Sequence, residues 1–200
     1  VACEGADHGG RRVTRTDLTT GKTVILATHY NGQRLNAPND LSLDESGRIY
    51  FSDPKYLGHE PMGQEVFGVY RIDPDGRLTR IIADAGKPNG ISVSPDQRSL
   101  YVVSNDNGSH AFDRLSPEAA QRLAKGRMTL SAYDLSAEGA ATFRETLVDY
   151  APQDGPDGLV CDEAGNLYVA VRDQTRMGIY VYSPKGEERA YIPTPALPTN

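Results

Sequence analysis

Pro38-Asn39-Asp40-Leu41-Ser42-Leu43-Asp44, then Glu45-Ser46-Gly47 and Ile49-Tyr50-Phe51, is a phrase that the chain repeats. It returns as Pro88-Asn89-Gly90-Ile91-Ser92-Val93-Ser94, with a turn around Pro95-Asp96 and then Leu100-Tyr101-Val102. It returns again as Pro156-Asp157-Gly158-Leu159-Val160-Cys161-Asp162, followed by Glu163-Ala164-Gly165 and Leu167-Tyr168-Val169. Two short apolar runs joined by a Gly or Pro-Asp turn are a hairpin signal. A second phrase alternates with the first: Arg12–Asp17, Val69–Pro74, Leu130–Asp134 and Ile179–Pro184. Each leads through a turn into another β-rich run, such as Thr23–Leu26 or Leu78–Ile82. Alternating apolar and polar residues in these runs fit strands buried on one face.

The period decides among β architectures. Asn39 and Asn89 lie 50 residues apart, and Asn89 and Asp157 lie 68 apart. The surplus of 18 falls near Phe112–Met128. There Ser116, Pro117 and Gly126 flank a short helical pattern near 115–125, with Ser as N-cap, Pro at the first turn and Gly past the end. Four strands in each period of about 50 residues are the pattern of a β-propeller blade. The expectation is an all-β protein forming one propeller domain over residues 1–200, about four blades long. Val1-Ala2-Cys3 takes the place of Leu100-Tyr101-Val102, and Pro198-Thr199-Asn200 echoes Pro38-Asn39 where a further blade would begin. Neither end supplies a closing strand, so incompleteness at both ends is expected.

Composition narrows the function. Lys plus Arg number 21 and Asp plus Glu 27, a net charge of −6. A nucleic-acid surface needs a basic patch, which this balance opposes. No run approaches the roughly 18 apolar residues of a membrane helix. Val1 opens inside a strand, so no signal peptide is expected, and a soluble protein of bacterial cytoplasm or periplasm is the reading, the compartment itself being unmarked. Cys3 and Cys161 have no C-x-x-C partner and read as free thiols in apolar surroundings.

Equivalent positions of successive blades are related by rotation about one axis. Asn39, Asn89 and Asp157, with Asn200 in the same phase, therefore converge on the mouth of the central channel if their strands are innermost. Amide and carboxylate oxygens are the hard ligands that calcium takes, and no His or Cys shares the phase. Asn-Gly and Pro-Asn are also turn formers, and that plain explanation serves any one of these positions. Three in one phase, with the following turn already served by another Gly or Pro, favour a site. The chain has no G-x-S-x-G elbow and no P-loop. His59-Glu60 lacks the second His of a zinc-protease helix, Gly63 standing there. Asn105-Asp106-Asn107-Gly108 is half a calcium loop without its Glu and reads as a solvated turn.

These phrases resemble the senescence marker protein/gluconolactonase/luciferin-regenerating enzyme family. The match rests on Gly32-Gln33-Arg34-Leu35-Asn36-Ala37-Pro38-Asn39-Asp40, on Ile49-Tyr50-Phe51-Ser52-Asp53-Pro54-Lys55-Tyr56, and on Gly68-Val69-Tyr70-Arg71. Lys87-Pro88-Asn89-Gly90-Ile91 and Pro156-Asp157-Gly158 extend it, and Cys3-Glu4 with Gly10–Arg15 is similar to the second-blade phrase of the bacterial gluconolactonase-like branch. The resemblance implies a six-bladed propeller holding a divalent cation, usually calcium, on Asn39, Asn89 and Asp157. A fourth ligand, a first-blade Glu, has no counterpart here, because the neighbours of Glu4-Gly5 match blade two. The implied activity is hydrolysis of a sugar lactone. In that reading the cation would polarise the carbonyl, Asp157 would be the catalytic ligand or general base, and Arg34, Asn36, Asp53 and Tyr56 would be the substrate contacts. The implied partner is a small lactone, with no nucleic acid and no membrane. Two alternatives stand beside this reading: a calcium-dependent phosphotriester hydrolase, and a non-catalytic interaction propeller, since fold alone does not dictate function.

Overall fold

The computed structural model describes residues 1–6, 9–109, 116, 118 and 122–200. Its strands form successive antiparallel meanders. The first sheet has three strands, β1 (Ala2–Glu4), β2 (Arg12–Thr16) and β3 (Thr23–Ala27). A two-stranded hairpin follows, β4 (His29–Tyr30) and β5 (Gln33–Arg34), turned by Asn31 and Gly32 at φ 49° and 78°. Positive φ at both central residues is what Asn-Gly supplies to a tight hairpin. Three four-stranded sheets come next: β6 (Leu41–Leu43), β7 (Ile49–Asp53), β8 (Gly68–Ile72), β9 (Leu78–Ile82); then β10 (Pro88–Val93), β11 (Ser99–Asn105), β12 (Met128–Leu135), β13 (Ala141–Asp149); then β14 (Pro156–Cys161), β15 (Leu167–Val171), β16 (Gly178–Tyr182), β17 (Glu188–Pro193). This is the blade order of a propeller. The helix expected near 115–125 falls largely outside the described residues. Among those described, no helix is long and apolar enough to cross a membrane.

Burial grades across each blade. β10 and β11 are wholly buried, whereas β13 and β17 are largely exposed. The apolar clusters lie between blades. Tyr50 and Val69 of one blade pack with Ile91, Val93, Leu100 and Tyr133 of the next. Tyr101, Val103 and Leu130 pack in turn with Leu159, Leu167 and Val169. A third cluster joins Val13 and Leu35 to Phe51 and Tyr70. Each repeat thus leaves an apolar face that only its neighbour covers, which is why the phrase must recur. Cys3 and Cys161 are both free.

Register sets which end of the blade carries chemistry. Leu41 pairs with Phe51, Val93 with Leu100 and Cys161 with Leu167. The starts of β6, β10 and β14 therefore share one end with the ends of β7, β11 and β15. On that end lie the connections 54–67 and 172–177, which follow β7 and β15. The innermost strands are tied directly: the Ile91 amide donates to Asp40 Oδ2 at 3.0 Å and the Val93 amide to Ser42 Oγ at 3.0 Å. Ser52 Oγ donates to the Asn89 carbonyl at 2.6 Å.

Candidate active site

The repeated phrase bends its strand at one place. In β10 the pairing with β11 shifts between Pro88 and Ile91, and in β14 the pairing with β15 shifts between Pro156 and Leu159. Asn89-Gly90 and Asp157-Gly158 are the residues inside these bulges. A bulge re-aims a side chain out of the alternating pleat, and such bulges favour sites. The glycines permit close approach between blades. A Cβ on Gly90 would stand 2.6 Å from the Asp157 carbonyl oxygen and 2.8 Å from the Leu159 nitrogen.

Asn39, Asn89 and Asp157, drawn from three blades, line one cavity of about 210 Å³ together with Asp40, Gly158, Thr199 and Asn200. Asn89 is buried, Asp40 and Asp157 are half-buried and Asn39 is exposed. Burial raises the Asp157 carboxyl above its ordinary range, while Arg172 and hydrogen bonding from Asn89 draw it back. Asp40 is also raised, by burial first, against bonds from the Ile91 and Leu41 amides; the Asp157 charge adds to the rise. Two carboxyls, the charge of Asp157 disfavouring ionisation of Asp40, surrounded by amide oxygens, suit a hard divalent cation. Among the described residues no three His, Cys, Asp or Glu side chains form a metal cluster. The cavity thus offers two carboxylates supplemented by amides.

The other sequence-derived positions divide. Tyr56 is half-buried beside this group: hydrogen bonding from Asn89 and the charges of Asp157 and Arg172 all act on its hydroxyl, whose pKa burial drives upward. That hydroxyl donates to the Lys87 carbonyl at 3.3 Å. Lys87 is fully buried, its Nζ 4.2 Å from the Tyr56 ring centroid and bonded to Asn107 Oδ1 and the Ser109 carbonyl. Burial lowers its pKa to about 8. Arg34 is exposed on the β4–β5 hairpin and donates to the Gly10 carbonyl at 2.5 Å, away from the cavity lining.

Asn36 and Asp53, expected to touch substrate, are instead fully buried and engaged with backbone. Asn36 Oδ1 accepts from the Gly63 and Gln64 amides at 3.0 and 2.9 Å, and its Nδ2 donates to the Val66 carbonyl at 3.2 Å. Asp53 accepts from the Asn36 and Ala37 amides, both at 2.8 Å. Burial pushes its carboxyl up to about 7 despite those bonds and the nearby Arg11 charge. Both side chains shape the loop that carries Asn39 and have no free group to offer a ligand.

Two residues of the site escaped the sequence reading. Asp40 stood inside the quoted phrase, but Gly90 and Gly158 occupy its phase in the other blades, which hid it. Arg172 Nη1 donates to Asp157 Oδ2 at 3.2 Å and to the Pro198 carbonyl at 3.4 Å. Its signal was positional, for it stands three residues beyond Val169 as Asn105 stands three beyond Val102.

The chain is similar to known proteins in sequence and in fold. The chain is 34% identical over 194 residues to a gluconolactonase of Zymomonas mobilis, covering 91% of this chain and 48% of that protein. A gluconolactonase from Xanthomonas campestris superposes with a TM-score of 0.77 at 30% identity, covering 99% of this chain and 59% of that one. Regucalcin of Agrobacterium tumefaciens, a calcium-binding protein, superposes with a TM-score of 0.67 at 20% identity over 98% of this chain and 60% of its own, a likeness of fold. The chain spans about half the length of the curated relatives it matches. The model of the SMP-30/gluconolactonase/LRE-like region matches residues 5–200, and the chain belongs to that family.

Proposed function

We propose that the protein is a divalent-cation-dependent hydrolase of a sugar lactone of the gluconolactone class, with calcium as the cation. The observation that carries the reading is the convergence of Asn39, Asn89 and Asp157 from three blades on one oxygen-lined cavity. Asn39, Asn89 and Asp157 would hold the cation, and the Asp40 charge adds to the field. When bound, the cation supplies Lewis acidity to the lactone carbonyl and stabilises charge on its oxygen.

The chain's own residues do the rest. Asp157 accepts a proton as water attacks the acyl carbon. The ring C–O bond breaks, the ring oxygen takes the proton from Asp157, and the new carboxyl releases its own proton to water, leaving a hydroxycarboxylate. Asn89 borders both Asp157 and Tyr56 and acts on their electrostatics. Tyr56 borders the sugar at the mouth, and Arg34, exposed on the same end of the propeller, is the contact for outlying hydroxyls. Asn36 and Asp53 keep the loop in place.

The test is Asp157→Asn in the full-length protein. Calcium should stabilise wild type against heat, because a ligand of the native state raises its melting temperature by mass action. In the variant that stabilisation and gluconolactone hydrolysis should both vanish. A variant with wild-type turnover ends the assignment. A phosphotriester assayed in parallel, and turned over faster than the lactone, would reassign the substrate while leaving the site.

A further inference from the structure

We propose that Arg172 is the anion-binding residue of this site and takes the carboxylate that ring opening creates. The inference rests on the lactonase reading and adds a subsite to it. A lactone is neutral and its hydrolysis product is an anion, so a site that processes one must accommodate the other. The cation and a guanidinium are the groups that distinguish them.

Among the described residues, Arg172 is the cationic side chain bonded to a carboxylate of the cavity lining. The other nearby cations are engaged elsewhere. Lys87 is fully buried against Tyr56, Asn107 and Ser109. Arg34 is tied to the Gly10 carbonyl, and Arg11 is buried with its Nε on the Leu35 carbonyl and its Nη2 unpartnered among the described residues, outside the cavity lining. Arg172 holds both Asp157 and the Pro198 carbonyl through Nη1 alone. Its Nε and Nη2 make no hydrogen bond among the described residues, and its side chain is 30% exposed. Three N–H donors in a planar fork are thereby left over, the arrangement that matches a carboxylate.

The repeat underlines the point. The preceding blade places a short side chain at this phase, Asn105, which donates to the Gly155 carbonyl, and the blade before it has Pro54 there. Arg172 does a similar task toward Pro198 with one nitrogen, yet it is a longer, charged group reaching Asp157. Asp157 Oδ2 anchors the guanidinium, and the charge of Arg172 also reaches the Tyr56 hydroxyl at the mouth.

The geometry carries opposite consequences for two ligands. Arg172 attracts the product anion, but as a positive charge beside Asp157 it repels a cation on the same carboxylate. In Arg172→Gln, gluconate should inhibit at least about tenfold more weakly, a change of about 1.4 kcal/mol. Calcium should bind about tenfold more tightly by calorimetry, and KM for the neutral lactone should change much less. Arg172→Lys, which keeps the charge without the fork, should retain wild-type calcium affinity and part of the gluconate inhibition. Sorbitol, a neutral analogue, should act alike on all three proteins. Unchanged gluconate inhibition in Arg172→Gln overturns the proposal, as does a loss of calcium and gluconate binding together in both variants, which marks a structural clamp. Wild type that binds no calcium is a different failure, that of the lactonase site itself.

Discussion

Replacing Gly90 by Ala tests whether the approach of neighbouring blades sets the site. Gly90 does not occupy the left-handed region, so the new methyl costs nothing in backbone conformation. The cost comes from what it meets: the Asp157 carbonyl oxygen at 2.6 Å, the Leu159 nitrogen at 2.8 Å and the Gly158 carbonyl carbon at 2.9 Å. All are backbone of the next blade, so no flexible side chain can move aside. Ordinary contact begins at 3.4 Å, and the blades must therefore separate locally by several tenths of an ångström. Overpacking of this kind costs about 1–3 kcal/mol. For a protein of this size each kcal/mol lowers Tm by about 2–4 °C, so a fall of about 2–12 °C is expected. The displacement also moves Asp157 away from Asn89, and calcium holds its oxygens within about 2.3–2.6 Å. The calcium-dependent rise in Tm should accordingly shrink in the variant. Differential scanning calorimetry with and without calcium measures both effects. Gly5→Ala is the control, since among the described residues its Cβ would meet the Pro38 carbonyl oxygen alone, at 3.8 Å. If Gly90→Ala melts with wild type and gains as much from calcium, close blade contact does not set the site.

Other consequences follow from the buried loop residues. Asp53→Ala strands the Asn36 and Ala37 amides without their acceptor, and each unsatisfied buried group costs about 1–3 kcal/mol. Urea denaturation should show the loss, and an unchanged midpoint would refute the role given to Asp53. The same carboxyl predicts a pH dependence. Its folded pKa of about 7 exceeds the ordinary carboxylate value of about 4, so the folded protein keeps a proton there that the unfolded chain has released. Its contribution to stability is therefore full below about pH 4 and lost as pH rises through about 7. Asp53→Asn should flatten that decline, and a profile parallel to wild type would count against it. Asn36→Ala should lower stability through the Gly63 and Gln64 amides it leaves open and raise KM through the loop. A variant of wild-type stability and KM contradicts that reading.

Much of this protein was legible in the order of its residues. The Pro-Asn/Asp phrase and its 50-residue period announced successive hairpins, because strands and turns are local events written in alternation and in Gly, Pro and Asn. Leu78–Ile82, read as a β-rich run, is β9 to the residue. The same phase singled out Asn39, Asn89 and Asp157, since rotation about an axis converts equal phase into convergence. What phase cannot reveal is which polar atoms are already taken. Asn36 and Asp53 have the chemistry of substrate contacts, yet the amides that occupy them come from residues up to 28 positions away. Arg172 carries no motif, and its bond to Asp157 exists only because β14 and β15 pair side by side. Periodicity determined the blades and the direction in which their loops face. Only the packed chain decided which side chains remain free there, because hydrogen-bond satisfaction is a property of neighbours in space.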